Sequence, residues 1–358
     1  MGISSSLGSS ALLPAGLGFR NKIINGDMQI AQRGTAAVTG SSTAQYPVDR
    51  WIALSQTSNT ITFQQSTVAP PGFSNSVRVT VTSGGSAYTA SQYTFLYQKI
   101  EGFNTVDLAY GTSSAKLVTV SFWAQSSVTG NYSAVLENSA GTQNYVAPFT
   151  ISAANTWEFK TIQIPGATSG TWLTDSNTGL TFYIVLGAGS NFDTTANTWV
   201  SGKYSVSGHV DIGATNGATF TVTGVQVERN NQATPFEQLP VGVELALCQR
   251  YYYKWATGVA YSSAGYLTAI ASGFAIMMVS LPVTMRIAPT ALEKSGTFTG
   301  NGTGNSLASS TFSLDTGAGT KEIPMILCTS AATFTTGYTQ QLIASNNSAN
   351  YFALSAEL

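Results

Sequence analysis

Charge is what this chain has least of. Fifteen Lys and Arg and sixteen Asp and Glu make up 9% of its 358 residues, where an ordinary soluble domain carries about 25%. The balance is nearly neutral, at −1, so no basic footprint awaits a phosphate backbone and nucleic acid is not an expected partner. Histidine occurs once, at His209. Any Ser/His/Asp or Cys/His mechanism would have to pass through it, yet its setting, Ser207-Gly208-His209-Val210-Asp211, reads as a strand end and turn. Cys248 and Cys328 are the only cysteines. That excludes a disulfide framework, and with one distant histidine it excludes the close Cys/His spacings of structural zinc sites. Both thiols are expected to be free and buried.

Long hydrophobic runs are also missing. Residues 256–285 carry no charge, but Gly258, Gly265, Gly273 and Pro282 divide them into strands and turns. Residues 11–19 are too short to span a bilayer and have no basic flank, so neither membrane insertion nor a targeting segment is expected. No glycine-rich stretch lies between a strand and a helix in the phosphate-binding arrangement. Paired carboxylates are the one catalytic device that composition leaves open, and Asp107, Glu137, Asp175, Asp193, Asp211 and Glu228 are the candidates. The long internal repeat of a β-helical depolymerase is absent. The expectation is a protein that is not an enzyme.

What fills the chain instead is Ser, Thr, Gly, Asn and Gln, the polar currency of β-rich surfaces and tight turns. Short alternating segments follow one another at the spacing of a sandwich: 22–29, 51–54, 61–65, 76–82, 94–100, 116–125, 130–137, 157–164, 180–186, 203–208 and 219–227. Within 116–125, Val118, Val120, Phe122 and Ala124 form the better core face. No helical period appears before residue 241. From Val241 to Tyr253, Val243, Leu247 and Tyr251 recur every four residues, which predicts one helix entered through Pro240. Further strands are expected at 258–261, 266–271, 274–284, 290–294, 306–314, 323–329 and 349–356, with a loop tip at 299–305. The fold class is therefore all-β: a jelly-roll-like antiparallel sandwich over 21–237, a linker and short helix over 238–253, and a smaller β-domain over 254–358, preceded by a flexible or docking arm, 1–20.

Three stretches carry a family likeness: Asn21-Lys22-Ile23-Ile24-Asn25-Gly26-Asp27-Met28-Gln29-Ile30-Ala31-Gln32-Arg33-Gly34, then Val48-Asp49-Arg50-Trp51, and last Thr234-Pro235-Phe236-Glu237 with Cys248-Gln249-Arg250-Tyr251-Tyr252. In this order they resemble tailed-bacteriophage virion proteins of the tail-fibre or receptor-binding type, which carry a carbohydrate-binding-module-like sandwich. The resemblance implies assembly in the host cytoplasm and exposure on the particle surface. Its implied partners are other virion proteins, two further copies in a homotrimer, and host surface polysaccharide. It leaves as alternatives a head decoration, vertex-fibre or collar protein with a purely structural role, and a polysaccharide depolymerase. Related sugar-binding sandwiches often hold calcium between first and last strands. Asn25, Asp27 and Glu228 would lie near such a site, with an Asx turn and a surface acid as the plainer alternative. No other cofactor is implied.

Aromatic residues are the strongest lead to a binding surface, because sugar rings stack their C–H faces on aromatic planes while hydroxyls meet amides and acids. Six tryptophans and sixteen tyrosines are present. Trp51, Trp123 and Trp157 sit in strand patterns and read as packing. Trp172 and Trp199 lie instead in Gly/Thr/Asn loops, which makes them the candidates for glycan or partner contact. Subunit packing is expected at Tyr251, Tyr252 and Tyr253, and at Phe274, Ile276 and Met278, where both faces of one run are apolar.

Overall fold

The computed structural model describes residues 19–255, 259–301, 310–330, 334–345 and 349–358. Most of the expected N-terminal arm, the loop tip beyond 301, and the starts of the expected strands at 258 and 306 lie outside these residues. Among the described residues thirteen strands precede the helix: β1 (Val38–Thr39), β2 (Gln45–Val48), β3 (Trp51–Gln56), β4 (Thr60–Ser66), β5 (Ser76–Ser83), β6 (Tyr93–Glu101), β7 (Val118–Ser126), β8 (Gly130–Glu137), β9 (Asn144–Ile151), β10 (Glu158–Ile164), β11 (Thr178–Ala188), β12 (Trp199–Val200) and β13 (Thr219–Glu228). They form two antiparallel sheets, ordered β1-β4-β5-β13-β7-β10 and β12-β9-β8-β11-β6-β3-β2. Alternation decides what each sheet turns inward. Phe63, Val79, Val120, Phe122 and Val222 from the first sheet meet Trp51, Leu96, Tyr132, Leu136 and Phe182 from the second in one core. The fold is all-β, as the alternation predicts.

Helix α1 (Val241–Gln249) begins directly after Pro240. Among the described residues nine strands follow: β14 (Tyr252–Trp255), β15 (Ser263–Ala271), β16 (Phe274–Met278), β17 (Ala291–Ser295), β18 (Phe298–Asn301), β19 (Thr311–Leu314), β20 (Met325–Thr329), β21 (Thr339–Ala344) and β22 (Tyr351–Ser355). A three-stranded sheet, β14-β22-β17, and a six-stranded one, β18-β21-β15-β16-β20-β19, share a second core that includes Leu267, Met277, Ile326, Leu342, Phe352 and Leu354. Among the described residues no helix is long and apolar enough to cross a membrane.

Several local expectations give way to tertiary constraints. Residues 22–29 are not a strand: Asn25 and Met28 adopt positive φ, and the Asn25 side chain bonds the backbone of Ile30 and Asp49. Segment 203–208 makes only an isolated bridge, between Ser205 and Asp193. Strand β9, unforeseen, contains Pro148. Its outer neighbour β12 pairs only with Asn144 and Tyr145, so Pro148 lies on an effectively free edge where a missing N–H costs little. The helix stops at Gln249 rather than 253, because Tyr252 and Tyr253 enter β14 and pair with Ser355 and Leu354. Its buried positions are Glu244 and Cys248, continued by Tyr251, while Val243, expected to face inward, is exposed.

Candidate functional site

The loop 165–173 and the two-residue strand β12 bring Trp172 and Trp199 together at one rim of the sandwich. Their ring centroids are 5.7 Å apart and nearly perpendicular. Tyr110 packs edge-on to both, at 4.8 and 5.9 Å, and Tyr145 adds a fourth ring 5.2 Å from Trp199. Edge-to-face geometry satisfies the ring quadrupoles and contributes about 0.5–1.5 kcal/mol per pair beyond area burial. Each indole N–H is tied back to the same loop, Trp172 to the Ser169 carbonyl (3.0 Å) and Trp199 to the Pro165 carbonyl (3.2 Å). The rings are thus fixed and partly buried against the sandwich core.

Gly111 makes this closeness possible. Its φ is +82°, and a Cβ there would stand 2.7 Å from the Gly170 carbonyl oxygen and 3.1 Å from the Trp172 ring, so glycine is required on both counts. Below the rings the Tyr110 hydroxyl is buried without a hydrogen-bond partner, and burial pushes its pKa up. A cavity of about 30 Å³ lined by Tyr110, Trp172, Leu173 and Leu180 lies beside it, room enough for a water-sized group. The rim around the rings is hydroxyl-rich: Thr112, Thr142, Thr171 and Thr198 are exposed. An aromatic, hydroxyl-lined surface suits a polyhydroxylated ligand.

A second aromatic assembly covers the outer side of the β12-to-β2 sheet. Tyr93 stacks on Phe95 (4.7 Å) and Tyr97 on Tyr183 (4.8 Å), and Phe192 and Tyr204 from the 189–206 loop close over Phe95. Beneath them the Glu137 carboxylate accepts from Tyr183, Tyr204 (2.6 Å) and Asn144 (3.0 Å). Alternation within β6 could have announced the row Tyr93, Phe95 and Tyr97. The loop that covers it could not be read locally.

The acids are occupied by structural partners. Asp107 pairs with Lys22 at 2.7 Å, Asp175 accepts from Asn177, and Asp193 accepts from Ser205. Glu228 accepts from Gln226 and from the Thr234 hydroxyl at 2.8 Å. His209 is tied at both ring nitrogens: Nε2 accepts the Ala188 N–H at 2.8 Å, and Nδ1 lies 3.2 Å from the Val206 carbonyl. The three residues considered for calcium are all buried, and their partners differ. Asn25 spends its amide on Ile30 and Asp49, Glu228 serves the connector, and Asp27 accepts from Gln29 through one oxygen while the other has no partner. Among the described residues no three His, Cys, Asp or Glu side chains gather to hold a metal.

The residues considered for subunit packing divide sharply. Tyr251 and Tyr252 are covered by their own chain: Tyr251 donates to Glu101 at 2.8 Å and Tyr252 to Glu293 at 2.8 Å, and the guanidinium groups of Arg50 and Arg33 lie 3.6 and 3.5 Å over their rings. Tyr253 is half-buried and stacks on Trp255 at 5.5 Å. Phe274 and Met278 are exposed, with Ile276 half-buried between them.

No family model and no curated protein matches the chain. Solved structures that partly overlay on the chain include the enzymatically active domain of bacteriophage CBA120 tailspike protein 4, at 13% identity and a TM-score of 0.31, over 58% of this chain and 21% of that one. The family 11 carbohydrate-binding module from Clostridium thermocellum, in complex with a mixed-linked tetrasaccharide, is 15% identical with a TM-score of 0.28, over 56% of this chain and 99% of that one. The CBM22-1 xylan-binding domain of Paenibacillus barcinonensis Xyn10C is 9% identical with a TM-score of 0.27, over 60% and 96%. The chain thus spans about a fifth of the tailspike domain it matches. Overlaps this loose carry no weight for ligand choice, which rests on the residues above.

Proposed function

We propose that this chain is a non-enzymatic surface protein of a tailed-bacteriophage particle, a tail fibre or related adhesin, whose sandwich contacts host polysaccharide through Trp172 and Trp199. The observation that carries the glycan contact is the fixed, partly buried pair of indoles, 5.7 Å apart on a threonine-rich rim. The virion assignment is supported by the resemblance of the 21–34, 48–51 and 234–252 stretches, and by a composition that replaces charge with hydroxyls and amides. A non-catalytic role is supported by the acids: each of the six considered accepts from or pairs with a structural neighbour, Asp211 through the Tyr88 N–H at 3.3 Å.

One stacked ring supplies about 1 kcal/mol beyond its buried area, so a single site binds weakly and adhesion depends on many copies per particle. Replacing both Trp172 and Trp199 with Ala is expected to abolish glycan-array signal and host-cell adsorption while particles still assemble. Normal adsorption combined with failure to enter the particle would favour the head-decoration or collar reading instead. Shortening of host polysaccharide by the purified protein would replace the adhesin with a depolymerase.

A further inference from the structure

Where the sandwich meets α1, a pocket of about 500 Å³ opens between the 19–26 segment, the turns at 102–108, the 236–239 connector and the helix. That volume falls within the ~300–1,000 Å³ of small-molecule sites. Phe19, Phe103 and Phe236 furnish three aromatic rings, and Leu239 and Leu247 extend the apolar walls around one buried acid, Glu244. Phe19 and Phe103 remain exposed, so apolar surface meets water at the entrance.

Glu244 is the polar anchor of this pocket. It is 8% exposed, and one carboxylate oxygen accepts the Asn25 N–H. The second oxygen has no partner among the described residues and is left to the pocket that the side chain lines. The charges around it are either engaged or negative. Lys22 is paired with Asp107 at 2.7 Å, and Glu237 accepts the backbone N–H groups of Arg20 and Asn21 at 2.7 and 2.9 Å, with the Arg20 guanidinium 3.9 Å away. Asp27 and Glu237 add their negative charge to the larger effect of burial and push the Glu244 pKa up. A buried carboxylate without a cation is costly, and no described Lys, Arg or His pairs with this one. One free oxygen is too few ligand atoms for a metal ion, and among the described residues no three His, Cys, Asp or Glu side chains gather to add more. It is enough for a single charged N–H donor. Behind that donor the pocket offers apolar burial and aromatic rings, whose faces attract cations in their own right.

We infer that this pocket binds a small organic cation, a primary ammonium on an aromatic or aliphatic body, with the ammonium donating to the free oxygen of Glu244 and the body held between the phenylalanine and leucine walls. The inference does not rest on the glycan reading. Replacing Trp172 and Trp199 with Ala, expected to remove the glycan signal, is expected to leave ammonium binding unchanged. Titration calorimetry of the full chain with phenethylamine, and with phenethyl alcohol as its uncharged counterpart, tests it. At pH 8 the amine is expected to bind about tenfold or more tightly than the alcohol, the margin of a charge-assisted hydrogen bond. Glu244→Gln keeps an oxygen for the Asn25 N–H and is expected to erase that margin. Phe103→Ala, which removes wall and leaves the charge, is expected to weaken both compounds alike. With the Glu244 pKa pushed up to about 7, the carboxylate is protonated at pH 5.5 while the amine keeps its charge. Amine affinity is therefore expected to fall about tenfold or more from pH 8 to pH 5.5 in the wild type and to stay level in Glu244→Gln. Equal binding of amine and alcohol, binding of neither, or an amine preference that survives Glu244→Gln overturns the proposal.

Discussion

At the scale of single residues, the most consequential side chain is one whose type gave no warning. Glu244 lies one turn into α1, is 8% exposed and accepts the backbone N–H of Asn25. Burial, the largest influence, pushes its pKa from 4.5 up to about 7, and the nearby charges of Asp27 and Glu237 push the same way. Burial likewise raises Asp49 to about 6. A carboxyl whose pKa is higher folded than unfolded holds a proton that the unfolded chain has released. Its contribution to stability is therefore complete below about pH 4.5 and is lost as pH rises through about 7. The urea midpoint is expected to fall between pH 5 and pH 7.5 through these two groups, and Glu244→Gln to flatten that fall; an unchanged slope in the variant would assign the effect to other groups. In sequence this glutamate stands in an ordinary helix first turn, where an acid reads as a solvated dipole partner.

At the scale of elements, short-range pattern and long-range pairing contend most visibly around α1. Apolar periodicity promised a helix to Tyr253 with Val243, Leu247 and Tyr251 inward. The chain instead turns after Gln249, so that Tyr252 can pair with Ser355 and the Tyr251 hydroxyl can reach Glu101. That carboxylate is 1% exposed and accepts from Arg250 as well, at 2.7 and 3.1 Å. Tyr251→Phe removes one donor and leaves the ion pair, so a loss of about 1–3 kcal/mol is expected in denaturant unfolding. A loss below about 0.5 kcal/mol would mean that water replaces the hydroxyl. Strand β7 shows the opposite case. Val118, Val120, Phe122 and Ala124 face the core as the alternation foretold, because in a sandwich the period of two and the buried face coincide.

At the scale of the whole molecule, the two largest hydrophobic cores are joined by a junction in which a small apolar cluster of Ile24, Ile30, Cys248 and Tyr251 lies beside a set of arginine contacts. Arg250 binds Glu101 from the end of the helix. Arg286 reaches the carbonyls of Ser176, Ala356 and Glu357, and Arg50 reaches Glu357 and the Lys99 carbonyl. Arg250→Met leaves the buried Glu101 carboxylate to the Tyr251 hydroxyl, which is expected to cost about 1–3 kcal/mol. Calorimetry is expected to show one cooperative transition for the wild type and two for the variant, as the cores uncouple. Two transitions already present in the wild type would show that the junction does not couple them.

The sequence by itself determined the fold class, the core face of β7, the place of a single helix and the scarcity of catalytic groups, because each depends on local period or on composition. It also drew attention to Trp172 and Trp199 as aromatic residues in Gly/Thr/Asn surroundings, although the fold places Trp199 in β12 and packs both rings against the sandwich core. Only the tertiary structure decided that these indoles meet Tyr110 and Tyr145 at one rim, that Tyr251 and Tyr252 are consumed within the chain, and that Phe274, Ile276 and Met278 look outward. Those outcomes depend on which distant strands lie side by side. Glu101 is 149 residues from Arg250 and Gly111 is 59 from Gly170, and no local pattern records a contact at such a separation.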